Sequence, residues 1–515
     1  MAFTQNPTQD SHNVTRILPR GSSFLVSTPY SGFNTQPLTL RYRNCFPITE
    51  EQWGTDAVRR VHTREGWTQS AVLSGSVTTT GSLSKSIVQT YTGGNVYVAK
   101  GQEVYRVNYI ADTVALIDTR NDYGRGSGTL AISSAGVNRV AWLEKGGANY
   151  LMTCLEDGTS VTSTSLVAVN VDGSRGLVFI DGYLFAVSAL GKRIYNSAAG
   201  GNLTTWNTTD FLEAEQYADN TIWIDKHKNY LVAFGEDSIE FFYNNAIEVG
   251  SPLARQESYS TRVGLYVGSS TTGGASVVNV EDDLYFLGRT GQNAVSLYVI
   301  KDFQVKEIKG QYIQGLLNNP DLTVSGITSI LINNNPHIVI NFTNDNPWAY
   351  FIKEDMWWQL SGEDYPDFAV TLGRPFVNVV AIGGSYTPEC RVLTNASTGN
   401  CRWKYADLDY GTTVTSSMFT EIIDMGTNRY KHLARIDAIG DYGNNTLDLS
   451  INPTRNYSQT YTALGSKAVS TIGYQNNISW YNVGAPRAFI LGFATTGTYP
   501  SIHEGFDIEY TTGVA

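Results

Sequence analysis

Short runs in which apolar and polar residues alternate recur along most of the chain. Each run ends at a tight turn rich in Gly, Asp or Asn, and a second run that carries an aromatic residue follows it. Alternation with a period of two is typical of half-buried strands, and such turn residues favour a hairpin between the two strands. The pattern predicts hairpins at 95–108, 179–197, 229–245, 283–308, 337–360 and, in a weaker form, 379–394.

From the second hairpin onwards the starts are roughly 40 to 60 residues apart, a spacing expected for the four-stranded blades of a β-propeller. Because each hairpin must bury one face against a neighbour, the repeat predicts a propeller of about six blades. The repeat is degenerate and has no WD or kelch signature. An ordinary multi-sheet β protein with many hairpins is therefore the alternative fold.

The two ends of the chain differ from its middle. The first 70 or so residues lack the hairpin pattern and are expected to form an arm or a closing segment. From about Lys404 the strands become longer, which predicts a C-terminal β-sandwich. The predicted fold is thus all-β, with an N-terminal arm (1–75), a propeller (76–403) and a C-terminal β domain (404–515). The best candidate for a helix is the short segment that starts at Tyr312.

Composition agrees with an all-β protein. The chain of 515 residues contains 31 Tyr, 20 Phe and 49 Gly, and only 16% of its residues are charged. Aromatic residues favour strands and glycine favours turns, whereas long solvated helices need more charge. The N-terminus has no apolar core of a signal peptide, and Asp181 interrupts the most apolar stretch, 176–191. We expect a soluble protein made in a cytoplasm, with no membrane insertion.

The charge balance bears on nucleic acid binding. The chain has 36 basic and 47 acidic residues, a formal net charge of −11. Proteins that follow a phosphate backbone normally carry a basic surplus, so tight binding of DNA is not expected. An acidic wall would let a duplex slide past it. The other interpretation is that the charge only keeps a large protein in solution.

Metal and disulfide sites are not predicted. The four cysteines have no metal-ligand spacing; Cys390 and Cys401 could meet across a hairpin, but isolated buried thiols are the stronger expectation. The histidines form no HExxH motif and no i, i+4 pair, so no metal and no cofactor are expected. The histidines are His12, His62, His227, His337, His432 and His503.

No catalytic residue is predicted either. The acidic groups 236–237, 281–283 and 354–355 could serve glycoside hydrolysis, but turns favour such residues for backbone reasons alone. The segment that starts at Ser450 has no Asp or Gly of a sialidase Asp-box. Aromatic residues could stack a sugar or a base, although strand alternation favours core packing. These aromatic residues are Trp348, Tyr350, Phe351, Trp357 and Trp358.

One block of sequence carries a family resemblance. A Trp-x-x-x-Asp-Phe segment precedes an acidic stretch, and a strand that ends in Phe-Gly, an SIEFF strand and a later Gly follow it. Here these elements are Trp206, Asp210, Phe211, Phe234-Gly235, 238–242 and Gly264. In this order they resemble the packaged-DNA stabilisation proteins of short-tailed phages, also called tail hub or nozzle proteins. The resemblance continues from about Gly176 to the C-terminus and is weakest in the N-terminal segment.

The resemblance implies a virion structural protein and no enzyme. Proteins of this family are expected to form a homohexameric ring below the portal and its adaptor ring, in the virion tail. Such a ring forms the distal DNA channel and encloses double-stranded DNA without reading its sequence. It also provides docking sites for tailspikes or fibres and for a plug or needle. The alternative function is a carbohydrate-binding or carbohydrate-degrading propeller, such as a receptor-binding protein, because of the aromatic clusters and acidic turns.

Overall fold

The computed structural model describes most of the chain from residue 13 to residue 512. The described residues are 13–17, 42–50, 58–64, 66–73, 85–89, 95–100, 103–108, 111, 113–119, 128–143, 149–214, 216–217, 219–247, 250–267, 276–291, 294–332, 335–342, 346–360, 378–382, 389–394, 400–406, 413–420, 422–453, 461–469 and 478–512. Most of the predicted N-terminal arm lies outside these residues.

The described residues form strands almost throughout. In the first half of the chain the strands are β1 (Asn13–Ile17), β2 (Tyr42–Arg43), β3 (Cys45–Glu50), β4 (Val58–Thr63), β5 (Gly66–Leu73), β6 (Lys85–Gln89), β7 (Asn95–Lys100), β8 (Glu103–Asn108), β9 (Thr113–Thr119), β10 (Gly128–Ile132), β11 (Asn138–Leu143), β12 (Tyr150–Leu155), β13 (Thr162–Ser165), β14 (Leu177–Ile180), β15 (Tyr183–Val187), β16 (Ile194–Ser197), β17 (Trp206–Leu212), β18 (Thr221–His227), β19 (Tyr230–Gly235), β20 (Ile239–Asn244) and β21 (Leu253–Arg255).

The second half continues in the same way. Its strands are β22 (Gly264–Leu265), β23 (Val277–Val280), β24 (Asp283–Arg289), β25 (Ser296–Lys301), β26 (Gln304–Ile308), β27 (Val324–Ile332), β28 (Asn335–Phe342), β29 (Trp348–Phe351), β30 (Met356–Gln359), β31 (Asn378–Ile382), β32 (Glu389–Thr394), β33 (Asn400–Ala406), β34 (Val414–Phe419), β35 (Lys431–Asp441), β36 (Thr446–Asn452), β37 (Thr462–Ala468), β38 (Ile478–Gly484), β39 (Ile490–Gly497) and β40 (Ile502–Thr512).

Helical structure is sparse in the described residues. One α-helix, α1 (Gln311–Leu317), confirms the helix predicted from Tyr312. Two single 3-10 turns lie at Gly173–Arg175 and Glu257–Tyr259. No helix among the described residues combines the length and the apolar character that a membrane span requires.

The chain divides into two compact units, each assembled from separate segments. Unit 1 comprises 1–68, 349–364 and 405–515, and unit 2 comprises 69–348 and 365–404. The domain boundaries predicted from the sequence, at 75/76 and 403/404, divide the chain into three consecutive segments. The units instead join segments that are far apart in sequence, a feature that strand alternation cannot reveal.

Unit 2 is a β-propeller. Four consecutive antiparallel strands form each of the sheets β6–β9, β10–β13, β14–β17 and β18–β21, and the next sheet runs β22-β24-β25-β26, with β23 also paired to β24. The hairpin β27–β28 follows. The last sheet has the order β31-β32-β33-β5, so a strand from the start of the chain completes it.

Contacts between neighbouring sheets close this unit into a ring. The first strands of successive sheets touch in the series β6, β10, β14 and β18, and then β23, β27 and β31, which returns to β6. Between the two series, β19 contacts β22. Within the described residues seven sheets or hairpins take part, so the estimate of about six blades is not confirmed. The sheet β10–β13 is the one that the hairpin pattern did not reveal.

The sheets of unit 2 pack through apolar side chains between neighbours. One cluster joins β10–β12 to β14–β16 through residues such as Leu143, Leu151 and Leu184. Another joins β18–β20 to β23–β25 through Phe234, which lies 5.3 Å from Phe286 between ring centroids. Alternate side chains of one strand face opposite neighbours, since Val232 and Phe234 of β19 lie in one cluster and Leu231 and Ala233 lie in another.

Unit 1 contains two sheets that face each other. The first has the order β3-β4-β40-β35-β38, with β1 paired to β40. In the second, β2 pairs with β30 and β34, and β34-β39-β36-β37 follow. Phe493 of β39 lies 5.5 Å from Phe506 of β40 between ring centroids, so the sheets pack face to face as in a β-sandwich. Strands from the N-terminal segment therefore join the C-terminal sheets.

Candidate functional site

The residues that carry the family resemblance lie together in the propeller. Trp206 and Phe211 belong to β17, the pair Phe234-Gly235 ends β19, the segment 239–242 forms most of β20, and Gly264 begins β22. Phe211 packs against Tyr195 at 5.7 Å, and the Trp206 indole N–H donates to a backbone carbonyl in the preceding loop. The motif thus spans two neighbouring sheets and the start of a third.

Asp219 holds the turn that follows β19. Its carboxylate accepts hydrogen bonds from the backbone N–H of Asp237 at 2.8 Å and from the hydroxyl of Ser238 at 2.9 Å. A Cβ placed on Gly235 would lie 2.2 Å from Asp219 Oδ2, and one on Gly264 would lie 1.8 Å from the carbonyl oxygen of Glu236. Both motif glycines are therefore required by close packing around this turn.

A buried ion pair holds the acidic segment between β17 and β18. The Glu240 side chain is only 1% exposed, and its Oε2 lies 2.7 Å from Arg255 Nε. Glu240 also accepts from the backbone N–H of Gln216 at 3.0 Å, while Arg255 donates to the carbonyl of Glu213 at 2.9 Å. Burial raises the pKa of Glu240 above its ordinary value, although the nearby Arg255 opposes that shift.

The hairpin turn between β14 and β15 makes polar contacts with the neighbouring sheet. Asp181 and Gly182 both have positive φ, as a two-residue hairpin turn requires. The Asp181 carboxylate accepts hydrogen bonds from Asn229 at 3.1 Å and Asn244 at 2.9 Å, which belong to the next sheet. A turn residue therefore links two neighbouring sheets, and this role explains the residue type without any chemistry.

Phe303 lies in the turn between β25 and β26 and has an unusual backbone conformation. It has a φ of 62°, a left-handed conformation that bulky residues rarely adopt. Its ring stacks on Tyr259 at 4.8 Å and meets Tyr230 edge-on at 4.5 Å. Beside it, the ammonium of Lys228 lies 2.6 Å from the carboxylate of Asp302. Aromatic packing across the two sheets holds this turn in place.

Unit 1 carries a group of three cationic side chains and one tyrosine, which we call the Lys431 cluster: Arg429, Tyr430, Lys431 and Arg487. Lys431 is fully buried, and its ammonium donates to the backbone carbonyls of Thr427, Arg429 and Arg487. Arg429, Tyr430 and Arg487 are exposed. The guanidinium of Arg487 lies over the Tyr430 ring, 4.5 Å from its centroid. Sequence reasoning missed this cluster because its residues come from two segments.

The acidic groups occupy hairpin turns, as their residue types predicted. Glu281 and Asp282 have φ values of 51° and 68°, and Asp355 has a φ of 49°. The aromatic side chains of the candidate stacking cluster are buried, so the interpretation as core packing is confirmed. Their exposures are 1% for Trp348, 6% for Tyr350, 0% for Phe351, 8% for Trp357 and 0% for Trp358.

The histidines are dispersed. Among the described residues no group of three or more His, Cys, Asp or Glu side chains could hold a metal ion. His337 and His503 are fully buried, which lowers the pKa of each to about 3, and His227 hydrogen-bonds the carbonyl of Asp282 through Nδ1. His62 contacts Glu50 at 3.0 Å, and His432 is exposed. His12 lies outside the described residues.

The thiols Cys45 and Cys154 are free and buried, as expected. Burial raises the pKa of Cys45 to about 12 and that of Cys154 to about 11. The register of β32 and β33 places Cys401 opposite Thr394. The register of β31 and β32 places Cys390 opposite Ala381, and the side chains of both cysteines lie outside the described residues.

Comparison with known proteins gives a family. The family model described as Phage_stabilise, "Bacteriophage P22 Gp10, beta-propeller", matches residues 65–369. This match spans more than half of the chain and includes the sheets around Asp219 and Glu240. No protein with a curated description matches the sequence.

Several solved structures are similar in their backbone. YCF48 from Cyanidioschyzon merolae has a TM-score of 0.39 and 9% identity, and covers 66% of this chain and 98% of its own. The β-propeller domain of Cps50 (Swd1) from Myceliophteria thermophila has a TM-score of 0.42 and 9% identity, with coverages of 66% and 99%. A fungal alcohol oxidase has a TM-score of 0.40 and 10% identity, with coverages of 88% and 100%.

Proposed function

Because the chain belongs to the family described by the bacteriophage P22 Gp10 β-propeller, we propose that it is the tail hub, or nozzle, of a short-tailed phage. Membership of this family identifies the chain as a phage structural protein that stabilises packaged DNA. The chain is therefore a component of the virion. The observation that carries the proposal is the match over 65–369. The motif block, including Trp206 and Gly264, lies inside this range and in the propeller.

The proposed mechanism is enclosure. Copies of the chain form a homohexameric ring below the portal and its adaptor ring, and DNA passes through the distal channel during ejection. The net charge of −11 supports a wall that does not adhere strongly to the duplex, since like charges repel. Assembly takes place in the host cytoplasm, and docking sites serve tailspikes or fibres and a plug or needle.

Exposed apolar side chains support a role in a larger assembly. Leu190 and Val167 are 71% and 63% exposed in unit 2, and Tyr481 is 64% exposed in unit 1. Each can be covered when a neighbouring protein is added. Single exposed residues of this kind also occur in monomers, so they support the assembly without identifying its contacts.

We infer that the protein is not an enzyme. The acidic groups considered for glycoside hydrolysis are turn residues, and the aromatic residues considered for sugar stacking are buried. A carbohydrate-active propeller needs carboxylates and aromatic faces that line an open site. The features that suggested this alternative therefore have structural explanations instead.

Electron microscopy tests the proposal. The purified protein is imaged alone and after mixing with the adaptor protein of the same phage, and virions made without it are assayed for retained DNA. We expect six-fold rings that bind the adaptor, and loss of packaged DNA when the protein is missing. A stable monomer that never joins the adaptor, or DNA-filled virions without the protein, would refute the assignment.

A further inference from the structure

The Lys431 cluster is organised by one buried ammonium. The ammonium of Lys431 donates to the carbonyl of Arg429 at 2.9 Å and also to the carbonyls of Thr427 and Arg487. Arg429 lies in the loop before β35, whereas Arg487 follows β38. The backbone N–H of Lys431 also donates to the carbonyl of Pro486 at 2.9 Å. Lys431 therefore fixes the backbones of both arginines next to each other.

The charged ends of the cluster face solvent. Arg429 and Arg487 are exposed, and Tyr430 is 56% exposed beneath the Arg487 guanidinium. A guanidinium stacked on a ring keeps its in-plane N–H donors available for an anion. Among the described residues, no carboxylate lies within ion-pair distance of either arginine. Asp424, the nearest acid in the loop, accepts from the backbone N–H of Gly426 at 3.0 Å.

We propose that the Lys431 cluster binds the phosphate backbone of double-stranded DNA and so slows the duplex in the tail. The proposal rests on the proposed function, which supplies DNA as the anion. The guanidinium fork matches a pair of phosphate oxygens, and a tyrosine hydroxyl is a common phosphate donor. Arginine and tyrosine are also common at protein interfaces, so a protein contact is one of the outcomes that the test below distinguishes.

The acidic charge of the chain and the basic cluster then have complementary effects. A net charge of −11 prevents extended adhesion, so contact with DNA is limited to a few phosphates for each subunit. In a ring the cluster is repeated, and several weak contacts act together on one duplex. Such contacts hold the DNA at rest but break one at a time when the DNA moves.

The double variant Arg429→Ala with Arg487→Ala tests the proposal in the full-length chain. Binding of a short fluorescent DNA duplex is measured by anisotropy over a range of salt concentrations. We expect binding weaker by at least about tenfold at low salt, since two charge-assisted contacts are lost. The slope of log K against log salt should fall by about 1.8, because each lost phosphate contact contributes about 0.9.

A matched control removes the same charge elsewhere. Lys306 and Lys467 are exposed on β26 and β37, and the double variant Lys306→Ala with Lys467→Ala should change the slope little. The variant Arg429→Lys with Arg487→Lys keeps both charges and should restore the slope while lacking the fork. Circular dichroism verifies that each variant is folded.

The outcomes separate this proposal from the proposed function. Ring formation by the parent protein is measured by electron microscopy, so failure of the hub assignment is detected without DNA. The phosphate proposal is overturned if the arginine variant binds DNA with the parent's affinity and salt slope. It is also overturned if the arginine variant loses ring or adaptor assembly but keeps DNA binding, because the cluster is then a protein contact.

Discussion

The carboxylate of Asp219 occupies the space that a side chain at Gly235 would need, since a Cβ there would lie 2.2 Å from Asp219 Oδ2. The same carboxylate accepts hydrogen bonds from Asp237 and Ser238 in the turn after β19. Glycine at 235 and aspartate at 219 are therefore one structural feature, although 15 positions lie between them in the sequence.

Gly235→Ala should lower the free energy of unfolding by about 1–3 kcal/mol, because the new methyl group displaces the Asp219 carboxylate. The effect depends on Asp219. In the background Asp219→Ala the same change should cost much less, and the two variants should be non-additive. Urea unfolding of the parent, both single variants and the double variant measures this coupling. Additive effects would show that the two residues act separately.

Gly264→Ala should be more damaging than Gly235→Ala. Its Cβ would lie 1.8 Å from a backbone carbonyl of the Glu236 turn, which cannot rotate away as a side chain can. We expect a loss of about 3 kcal/mol or more. Gly315 in α1 has open space around it, so Gly315→Ala should instead raise stability by about 0.5–1 kcal/mol. Similar effects of Gly264→Ala and Gly315→Ala would contradict the packing described around the turn.

Arg255→Ala should destabilise unit 2 by about 3–5 kcal/mol, since it leaves the carboxylate of Glu240 buried without its guanidinium. Adding Glu240→Gln should recover part of this loss, because a neutral amide costs less to bury. Burial raises the pKa of Glu240, so the native state binds its proton more tightly than the unfolded chain does. Stability from this residue should fall as the pH rises through that raised pKa.

Thermal unfolding between pH 4 and pH 8 tests this dependence. The Glu240→Gln single variant should lack the component that comes from residue 240, since an amide does not titrate. An unchanged pH profile in that variant would show that the ionisation of Glu240 is not linked to folding. If Arg255→Ala were as stable as the parent, the ion pair would have no part in holding the 213–217 segment.

Phe303→Gly should be more stable than Phe303→Ala. Both variants lose the contacts with Tyr259 and Tyr230, but only glycine adopts a φ near 62° without strain. A difference of about 1 kcal/mol in favour of glycine is expected, opposite to the usual order of these two residues. Chemical denaturation of the two variants provides the comparison. The usual order would mean that the turn rearranges once the ring is removed.

Acid should destabilise the protein through His503. Burial lowers the pKa of His503 to about 3, whereas the unfolded chain takes up the proton near 6.5. The unfolded state therefore binds more protons between these values, and the free energy of unfolding should fall as the pH is lowered from about 6.5 towards 3. His503→Gln should show a shallower decline in urea unfolding. An identical decline would assign the effect to other groups.

Local pattern was sufficient to predict the all-β class, the propeller and the short helix near Tyr312. The sheet β10–β13 was missed although its strands carry Trp142 and Tyr150, because Asn138–Leu143 and Tyr150–Leu155 each bury four consecutive residues. A buried strand of this kind gives no period-two signal. The predicted hairpins therefore did not include this sheet, and the estimate of about six blades is not confirmed.

Contacts between segments that are far apart in the chain could not be predicted from the sequence. Phe46 lies 5.4 Å from Phe351 and 5.1 Å from Trp358 between ring centroids, although roughly 300 residues separate them along the chain. The motif block was recognised by its order, but Asp219 and Arg255, which explain its glycines and its glutamate, were not. Only the three-dimensional contact shows why each residue is needed, since alternation records burial and not partners.

The pairing of β5 with β33 has a consequence for how the protein is made. Residues 66–73 leave the ribosome early, but their partner strand, 400–406, follows 327 residues after Leu73. At about 5–20 residues per second, the first strand waits on the order of tens of seconds before its sheet can be completed. During synthesis the ring is an open arc with two unpaired edges, and such edges attract other chains. Slow synthesis or a truncated C-terminus should therefore favour aggregation, and chaperones that cover exposed strands should matter most for the nascent chain.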